Sequence, residues 1–399
     1  MTERLYYDNA YLMEFDAQVL ACVPKENHFD VLLDRSAFYP TSGGQPFDTG
    51  MLGAASVVDV NVADGEVWHT VTKPLNVGET VHGTIDWGRR FDHMQQHAGD
   101  HMIAGALHRR MGGVTIGLHI SSDVSTIDVA MPDGVMRISE EEIRQIEMDV
   151  NERIQRDVAI HCWFPPEEEL ETLPLRKKPT VSEHVRVVAI GEDEMVACGG
   201  THPSSAGQIG LVKIVSVTPA RGKMRVAFLA GQRALKDYFN CHQAVHAAAG
   251  MLSSSVDHLS ESIAAMQEKL RTAEFNLTKL RKEQLFSQAE RLMAETEVLS
   301  DGTRLAAGFV DADAMLLKEL VSKMIEQPGV IALIGAHNGE QALYVFGRSA
   351  DGNANMGTLL RESARAFGGK GGGRPDFAQG GGSDAILEAA CASLRNAVV

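Results

Sequence analysis

The sequence predicts an α+β protein built from an N-terminal small β-barrel, an α+β metal-binding domain, a long heptad helix and a C-terminal α/β domain. Short β-type runs broken by glycine and proline turns fill the first ninety residues, and an unbroken heptad seam runs from 256 to 280. Strand-like and helix-like runs then alternate through the last hundred residues. The expected boundaries are 1–88, 89–240, 250–298 and 299–399.

Within 1–88, residues 18–23, 29–34, 57–62 and 67–71 read as strands, with Asp64-Gly65 as a hairpin signal between the last two. Between the early strands lies Phe38-Tyr39-Pro40-Thr41-Ser42-Gly43-Gly44-Gln45-Pro46-Phe47-Asp48-Thr49-Gly50, too rich in glycine and proline for a strand or helix. It reads as a shaped loop, the kind of segment that carries function.

Two fragments of the next region form a candidate metal site. Residues 81–87 alternate like a strand that Gly88 ends, and Asp92 is placed to cap a helix stopped by Gly112-Gly113. On that helix His93 and His97, four apart, share a face. Cys198-Gly199-Gly200-Thr201-His202 follows the β-branched run 185–190 and offers a thiolate and another imidazole. His93, His97, Cys198 and His202 together read as a zinc site, and a filled four-ligand set leaves His101 and His108 as ordinary helix histidines. Neither fragment is strong alone; the strand, helix and loop around them strengthen the reading.

The remaining elements follow in order. Ser139 and Glu142 form a capping box ahead of a helix with Ile143, Ile146, Val150 and Ile154 on one face, and 209–217 and 225–229 read as strands. Val256, Leu259, Ile263, Met266, Leu270, Ala273, Leu277 and Leu280 alternate spacings of three and four, and the register slips at Gln284. One stuttered helix of roughly 60 Å or two helices satisfy that pattern, and the seam could pair two copies, dock within the chain or space two domains. In the last domain, 330–335 and 342–347 read as strands, and 315–325, 359–367 and 386–398 as helices. The tract 368–382 reads as a backbone-exposing loop that meets phosphate or ribose through the N–H groups of Gly371, Gly372 and Gly373, with Lys370 and Arg374 adding charge. It is no Walker loop, because glycine follows Lys370.

Composition narrows the function. A formal charge of −16 excludes an indiscriminate nucleic-acid binder. Residues 351–399 are nevertheless balanced, Arg361, Arg365, Lys370, Arg374 and Arg395 facing five acidic side chains, so a local RNA contact is permitted. The chain has neither an 18-residue apolar run nor a charged-then-apolar leader, which predicts no membrane contact and a cytoplasmic location. Cys22, Cys162, Cys198, Cys241 and Cys391 lack disulfide spacing and suit a reducing compartment.

The order of an F-Y-P-T-S-G-G-Q-P-x-D-x-G loop, an H-x-x-x-H helix, a C-G-G-T-H loop, a heptad helix and a glycine-rich terminal domain resembles the alanyl-tRNA editing proteins of the long AlaX type. These look like freestanding copies of the editing and C-terminal DHHA1 parts of alanyl-tRNA synthetase, and the resemblance covers almost the whole chain. It implies a zinc-binding editing domain that hydrolyses the ester joining serine, or glycine, to tRNA(Ala). It implies Zn2+ ligands at His93, His97, Cys198 and His202, and an editing loop at Thr41, Ser42, Gly43, Gly44 and Gln45. Asp48 and Thr201 are further substrate-binding candidates, and a homodimer through the helical segment or the terminal domain is expected. Ser42 departs from the synthetase loop, which usually reads three glycines before the glutamine.

The discrimination has a physical basis independent of family. A site built to hydrogen-bond the seryl hydroxyl rejects alanine because a buried polar partner is left unpaired. Thr41, Ser42 and Gln45 supply such groups, as candidate catalytic residues that read the hydroxyl or hold the ribose; the alternative is that Gln45 ties the loop together. The β-rich region begins at the N-terminus and leaves no room for an adenylate-forming domain in these 399 residues. A DHH-type phosphoesterase acting on short RNA needs Asp-His-His, whereas Asp92-His93 is followed by Met94. The remaining rival is a non-catalytic, zinc-stabilised tRNA-binding module.

Overall fold

The computed structural model describes residues 1–179, 184–192, 194–339 and 341–397. Its contacts divide the chain into two units, Met1–Ala247 and Ala248–Val399. Among the described residues no helix is long and apolar enough to cross a membrane.

In the first unit six strands pair as a closed antiparallel ring in the order Glu14–Lys25, His28–Leu33, Glu66–Val71, Ala55–Ala63, Gly50–Leu52, Thr80–Ile85, with the last returning to the first. Alternate residues face inward, so Val31, Leu33, Leu52, Val57, Val60 and Val67 fill the interior. The Ala55–Ala63 and Glu66–Val71 strands join through Asp64 and Gly65, both at positive φ, the two-residue hairpin the sequence signals.

Thr80–Ile85 leads into a 25-residue helix, Trp87–Met111. Its cap is Asp86, whose side chain accepts from the Arg89 N–H at 3.2 Å, so Asp92 lies inside the helix and does not start it. Gly88 belongs to the first turn, where the freedom of the chain end offsets its low propensity. Gly112, in the left-handed region, ends the helix.

A four-stranded antiparallel sheet (Val212–Ala220, Lys223–Ala230, Ser125–Ala130, Val114–His119) and the Glu140–Gln155 helix share a core with the Trp87–Met111 helix. Both bonds of the Ser139 and Glu142 capping box form. A second sheet orders Ile160–Trp163, Val187–Ile190 and Glu194–Ala197. The run 185–190 thus supplies the middle strand, and Cys198 follows the next strand, not that one.

The second unit centres on a six-stranded sheet: Glu297–Val298, Arg304–Val310, Val330–Asn338, Gln341–Arg348, Phe377–Gly382, Lys370–Gly373. Its one parallel pairing, Arg304–Val310 with Val330–Asn338, is bridged by the Ala314–Met324 helix, as a parallel crossover requires. Alternation along Val330–Asn338 sends Ile331 and Leu333 to the face covered by Met356–Ala366 and Ala385–Ala397, and Ala332, Ile334 and Ala336 to the face covered by Ala314–Met324. The terminal helix ends at Ala397, and Val398 of the expected span lies outside the described residues.

The heptad region is one helix, Leu259–Ala294, about 54 Å long. Ile263, Met266, Leu270, Leu277 and Leu280 of the seam are exposed. The slip at Gln284 marks where the helix enters a core, since Leu285 and Ala289 are buried against Leu317, Leu320 and Val321.

The glycine tract is not a loop. Lys370–Gly373 and Phe377–Gly382 pair as an antiparallel hairpin at the sheet edge, so Gly371, Gly372 and Gly373 spend backbone groups on the ladder. Glycine is needed for packing: a Cβ on Gly371 would sit 2.8 Å from Leu360 Cγ, and one on Gly380 2.6 Å from the Lys370 carbonyl oxygen. Lys370 is exposed, and Arg374 pairs with Asp376 at 3.2 Å.

Candidate metal centre and its cleft

The Trp87–Met111 helix buries every residue from His93 to Leu107, so its polar side chains must find partners inside the protein. Gln96 does so through the Ala230 carbonyl and N–H, at 2.9 and 3.0 Å, and Gln95 through the Gln208 carbonyl at 2.9 Å. Arg90, fully buried, donates to Asp48 and to the Ala10 and Ala37 carbonyls.

His97 and His101 differ: they face Cys198 and His202, and the ligand atoms of all four lie within 4.8 Å of one another. Cys198 Sγ is 3.3 Å from His97 Nε2 and 3.4 Å from His202 Nε2. A tetrahedral ion with bonds of about 2.0–2.3 Å has ligand–ligand edges of roughly that length. Both His101 nitrogens and His202 Nδ1 are buried without a hydrogen-bond partner. Burial holds the His97 imidazole down to about 3 and those of His101 and His202 well below the usual histidine range, and pushes the Cys198 thiol up to about 12. Three neutral imidazoles and a thiol sharing one buried volume fit a cation such as Zn2+, which would displace the thiol proton.

His93 is not in this cluster. It sits one turn earlier and lines a different depression with Arg89, Asp92 and Arg233, so His101 takes the place that spacing assigns to His93. Histidines at 93, 97 and 101 all lie near one face, and which turn meets the Cys198 loop decides the ligand set. His108 places Nδ1 3.1 Å from the Gly113 carbonyl oxygen at the helix end.

The side chain just before the Val187–Ile190 strand holds the loop in place. Arg186 donates to the carbonyls of Cys198 and Gly200 at 3.1 and 2.7 Å. A Cβ on Gly200 would enter the His97 ring, which is why glycine stands there.

The Ser42–Gln45 segment is a tight turn whose end residues exchange backbone bonds of 3.1 and 2.9 Å, with Gly43 and Gly44 at positive φ. A Cβ on Gly44 would collide with the Leu118 carbonyl. Gln45, fully buried, reaches the centre: its Oε1 lies 2.8 Å from His97 Nδ1 and accepts the Thr201 N–H at 3.2 Å, while its Nε2 donates to the Thr201 hydroxyl at 2.8 Å. An amide oxygen accepting from Nδ1–H leaves Nε2 unprotonated toward the cluster. These bonds link the 42–45 turn to the 198–202 loop.

The cluster opens into a cleft of about 640 Å³ whose walls include Ser42, Gly43, Asp100, Thr115 and Arg176. Thr41 does not line it; its hydroxyl accepts from the Phe47 N–H at 3.2 Å. Asp48 is also elsewhere, bound to Arg90 and to the Tyr39 N–H at 2.6 Å, because a buried guanidinium needs a carboxylate. Sequence reasoning missed the rim, Arg4, Lys177 and Lys178, and the buried Arg186 in the wall, although Arg176-Lys177-Lys178 was a visible basic run. It also missed Asp100, a buried carboxyl pushed up to about 7 by burial, with Oδ1 unpaired.

Three family models match: the DHHA1 domain over residues 302–399, class II (A) tRNA synthetases over 2–89, and the second additional domain of threonyl and alanyl tRNA synthetases over 185–226. The alanine–tRNA ligase of Archaeoglobus fulgidus is 34% identical over 95% of this chain and 42% of its own length. That of Haloquadratum walsbyi is 31% identical over 96% of this chain and 42% of its own. The chain thus spans less than half the length of these curated relatives. The crystal structure of the C-Ala domain of Aquifex aeolicus alanyl-tRNA synthetase aligns with 26% of this chain and 97% of its own at 25% identity, with a TM-score of 0.24.

Proposed function

For a chain that belongs to the alanyl-tRNA synthetase-related proteins, we propose a trans-editing hydrolase of the AlaX type, which deacylates Ser-tRNA(Ala). The supporting observation is the His97, His101, Cys198 and His202 cluster at the floor of a cleft with a basic rim, in a chain aligned with alanine–tRNA ligases over nearly its whole length. Water adds to the ester carbonyl, the bond to the ribose oxygen breaks, and the free amino acid and a tRNA with a restored terminal hydroxyl leave.

The chain's residues have separable parts in this. Arg4, Lys177 and Lys178 carry positive charge at the mouth, where an RNA backbone would lie. Ser42 and Gly43 line the wall and supply a hydroxyl and an open backbone beside the amino-acid side chain. Gln45 fixes the His97 ring. Zinc held by the four side chains would supply Lewis acidity beside the ester or, with every position filled by protein, hold the cleft in shape.

The test is to compare Ser-tRNA(Ala), Gly-tRNA(Ala) and Ala-tRNA(Ala) as substrates of the purified protein. Seryl ester should be cleaved with kcat/KM at least about 100-fold above alanyl ester, since a site built to hydrogen-bond a hydroxyl can reject the analogue lacking it by about 10⁴–10⁵-fold. Equal release of alanine contradicts the reading. Tight binding of tRNA(Ala) without loss of the seryl group would support the zinc-stabilised binding module instead.

A further inference from the structure

The depression that holds His93 has no part in the cluster chemistry. Of about 630 Å³, it is lined by Arg89, His93, Ser121, Ser122 and Arg233, with Pro46 and Gly88 at its edge and Asp92 in its wall. Pro46 directly follows the turn whose Ser42 and Gly43 line the metal cleft, so the two hollows lie on either side of one short segment. His93 and His97 are one helical turn apart, about 6 Å along the axis, roughly the span of one nucleotide.

Its chemistry favours an anion. Arg233 is locked in place by two bonds to Asp92, at 2.8 and 2.6 Å, and one to the Ser121 carbonyl at 2.7 Å, which neutralises that carboxylate and leaves two N–H groups over. Arg89 uses Nε on the Phe47 carbonyl at 2.9 Å, and its four other N–H groups have no hydrogen-bond acceptor among the described residues. The first turn of the Trp87–Met111 helix contributes the positive end of its dipole. Independently of that dipole, His93 is 97% buried, exposing 3% of its surface, and its Nδ1 has no hydrogen-bond partner. A buried polar ring left incomplete in the wall of a cationic hollow marks a missing ligand.

We propose that this depression is a phosphate subsite, which takes the 5′ phosphate of the nucleotide whose ester lies in the metal cleft. Naming a nucleotide as occupant rests on the deacylase reading; the site's preference for a phosphate group does not.

The test uses two small esters, 3′-O-seryl adenosine and the same compound carrying a 5′ phosphate. The parent protein should prefer the phosphorylated ester in kcat/KM by at least about tenfold. Ser122 is exposed, so Ser122→Glu adds a repelling charge without touching the core and should bring the ratio to about one, while Ser122→Lys should keep or raise it. A parent ratio near one, or a high ratio unmoved by Ser122→Glu, overturns the subsite and leaves the deacylase reading standing. Hydrolysis of neither ester sinks the deacylase reading alone. The subsite is then judged by titrating inorganic phosphate against the His93 ring signals in NMR. Saturable shifts weakened at least about tenfold by Ser122→Glu uphold it as a site for free phosphate; absent shifts, or shifts that ignore the substitution, overturn it.

Discussion

The two long helices reverse the pattern usually expected of helices. Trp87–Met111 is buried without a break from His93 to Leu107 yet carries His, Gln, Asp and Arg, whereas Leu259–Ala294 displays a leucine and methionine seam and buries only Leu285 and Ala289. Burial is thus set by the layers around a helix and not by its own amphipathicity. In the buried helix the glutamines and Arg90 are satisfied, while His93, Asp100 and His101 keep unpaired atoms. Of these, His101 belongs to the cluster that could hold a metal ion. In the exposed helix it is the apolar side chains of the seam that lie open to solvent.

The comparison can be broken most severely at Asp48. Asp48→Ala strands the Arg90 guanidinium inside the first unit and should cost about 3–5 kcal/mol, read from the shift of the denaturant midpoint. Metal binding separates the helix turns next. His101→Ala should lose stoichiometric zinc, weakening it by more than about 100-fold, whereas His93→Ala should retain it in elemental analysis of dialysed protein; the opposite pairing would restore His93 as ligand.

Acid tests the cost of keeping imidazoles dry. Burial holds His69 down at about 4 against a usual 6.5, with its ring between the Ser36 hydroxyl at 2.7 Å and the Val31 carbonyl at 3.2 Å. The unfolded chain therefore takes up that proton first, and the contribution of His69, complete above pH 6.5, is lost as pH falls from 6.5 toward 4. His69→Gln should show an acid destabilisation smaller than the parent's by about 3 kcal/mol over that window. Asp100, raised to about 7, acts with the opposite sign but is common to both proteins.

A smaller effect is expected at Gln45. Removing its amide frees the His97 tautomer, so Gln45→Ala should weaken metal by about 10–100-fold in a chelator competition, with the fold intact by circular dichroism. Smallest of all, Leu270→Lys on the exposed seam should change stability by less than about 0.5 kcal/mol in dilute protein. A larger loss, at a concentration where light scattering gives the mass of one chain, would mean that the seam is covered from within. A mass that halves on substitution would identify a second copy as its cover.

Local signals were the legible ones. Asp64-Gly65 and the Ser139 and Glu142 box act over two to four residues and the heptad seam along a single run of chain, and a hairpin, a capped helix and a long helix formed there. The metal cluster was legible to three of its four side chains, because 93, 97 and 101 repeat at one spacing and only the tertiary position of the loop selects a turn. The glycine tract misled for a different reason. Composition reads it as loop, but the demand for bare backbone comes from Leu360 and the facing strand, which no local window contains. Gln45 was placed on the right loop, with a contact to His97 that depends on residues 52 positions apart.

The clustered side chains come in two instalments, at 97 and 101 and again at 198 and 202. A ribosome adding 5–20 residues per second delivers the second pair roughly 5–20 s after the first. The ring of strands, complete at Ile85, has no such wait. A nascent chain therefore passes through an interval with a finished barrel and an unlatched helix.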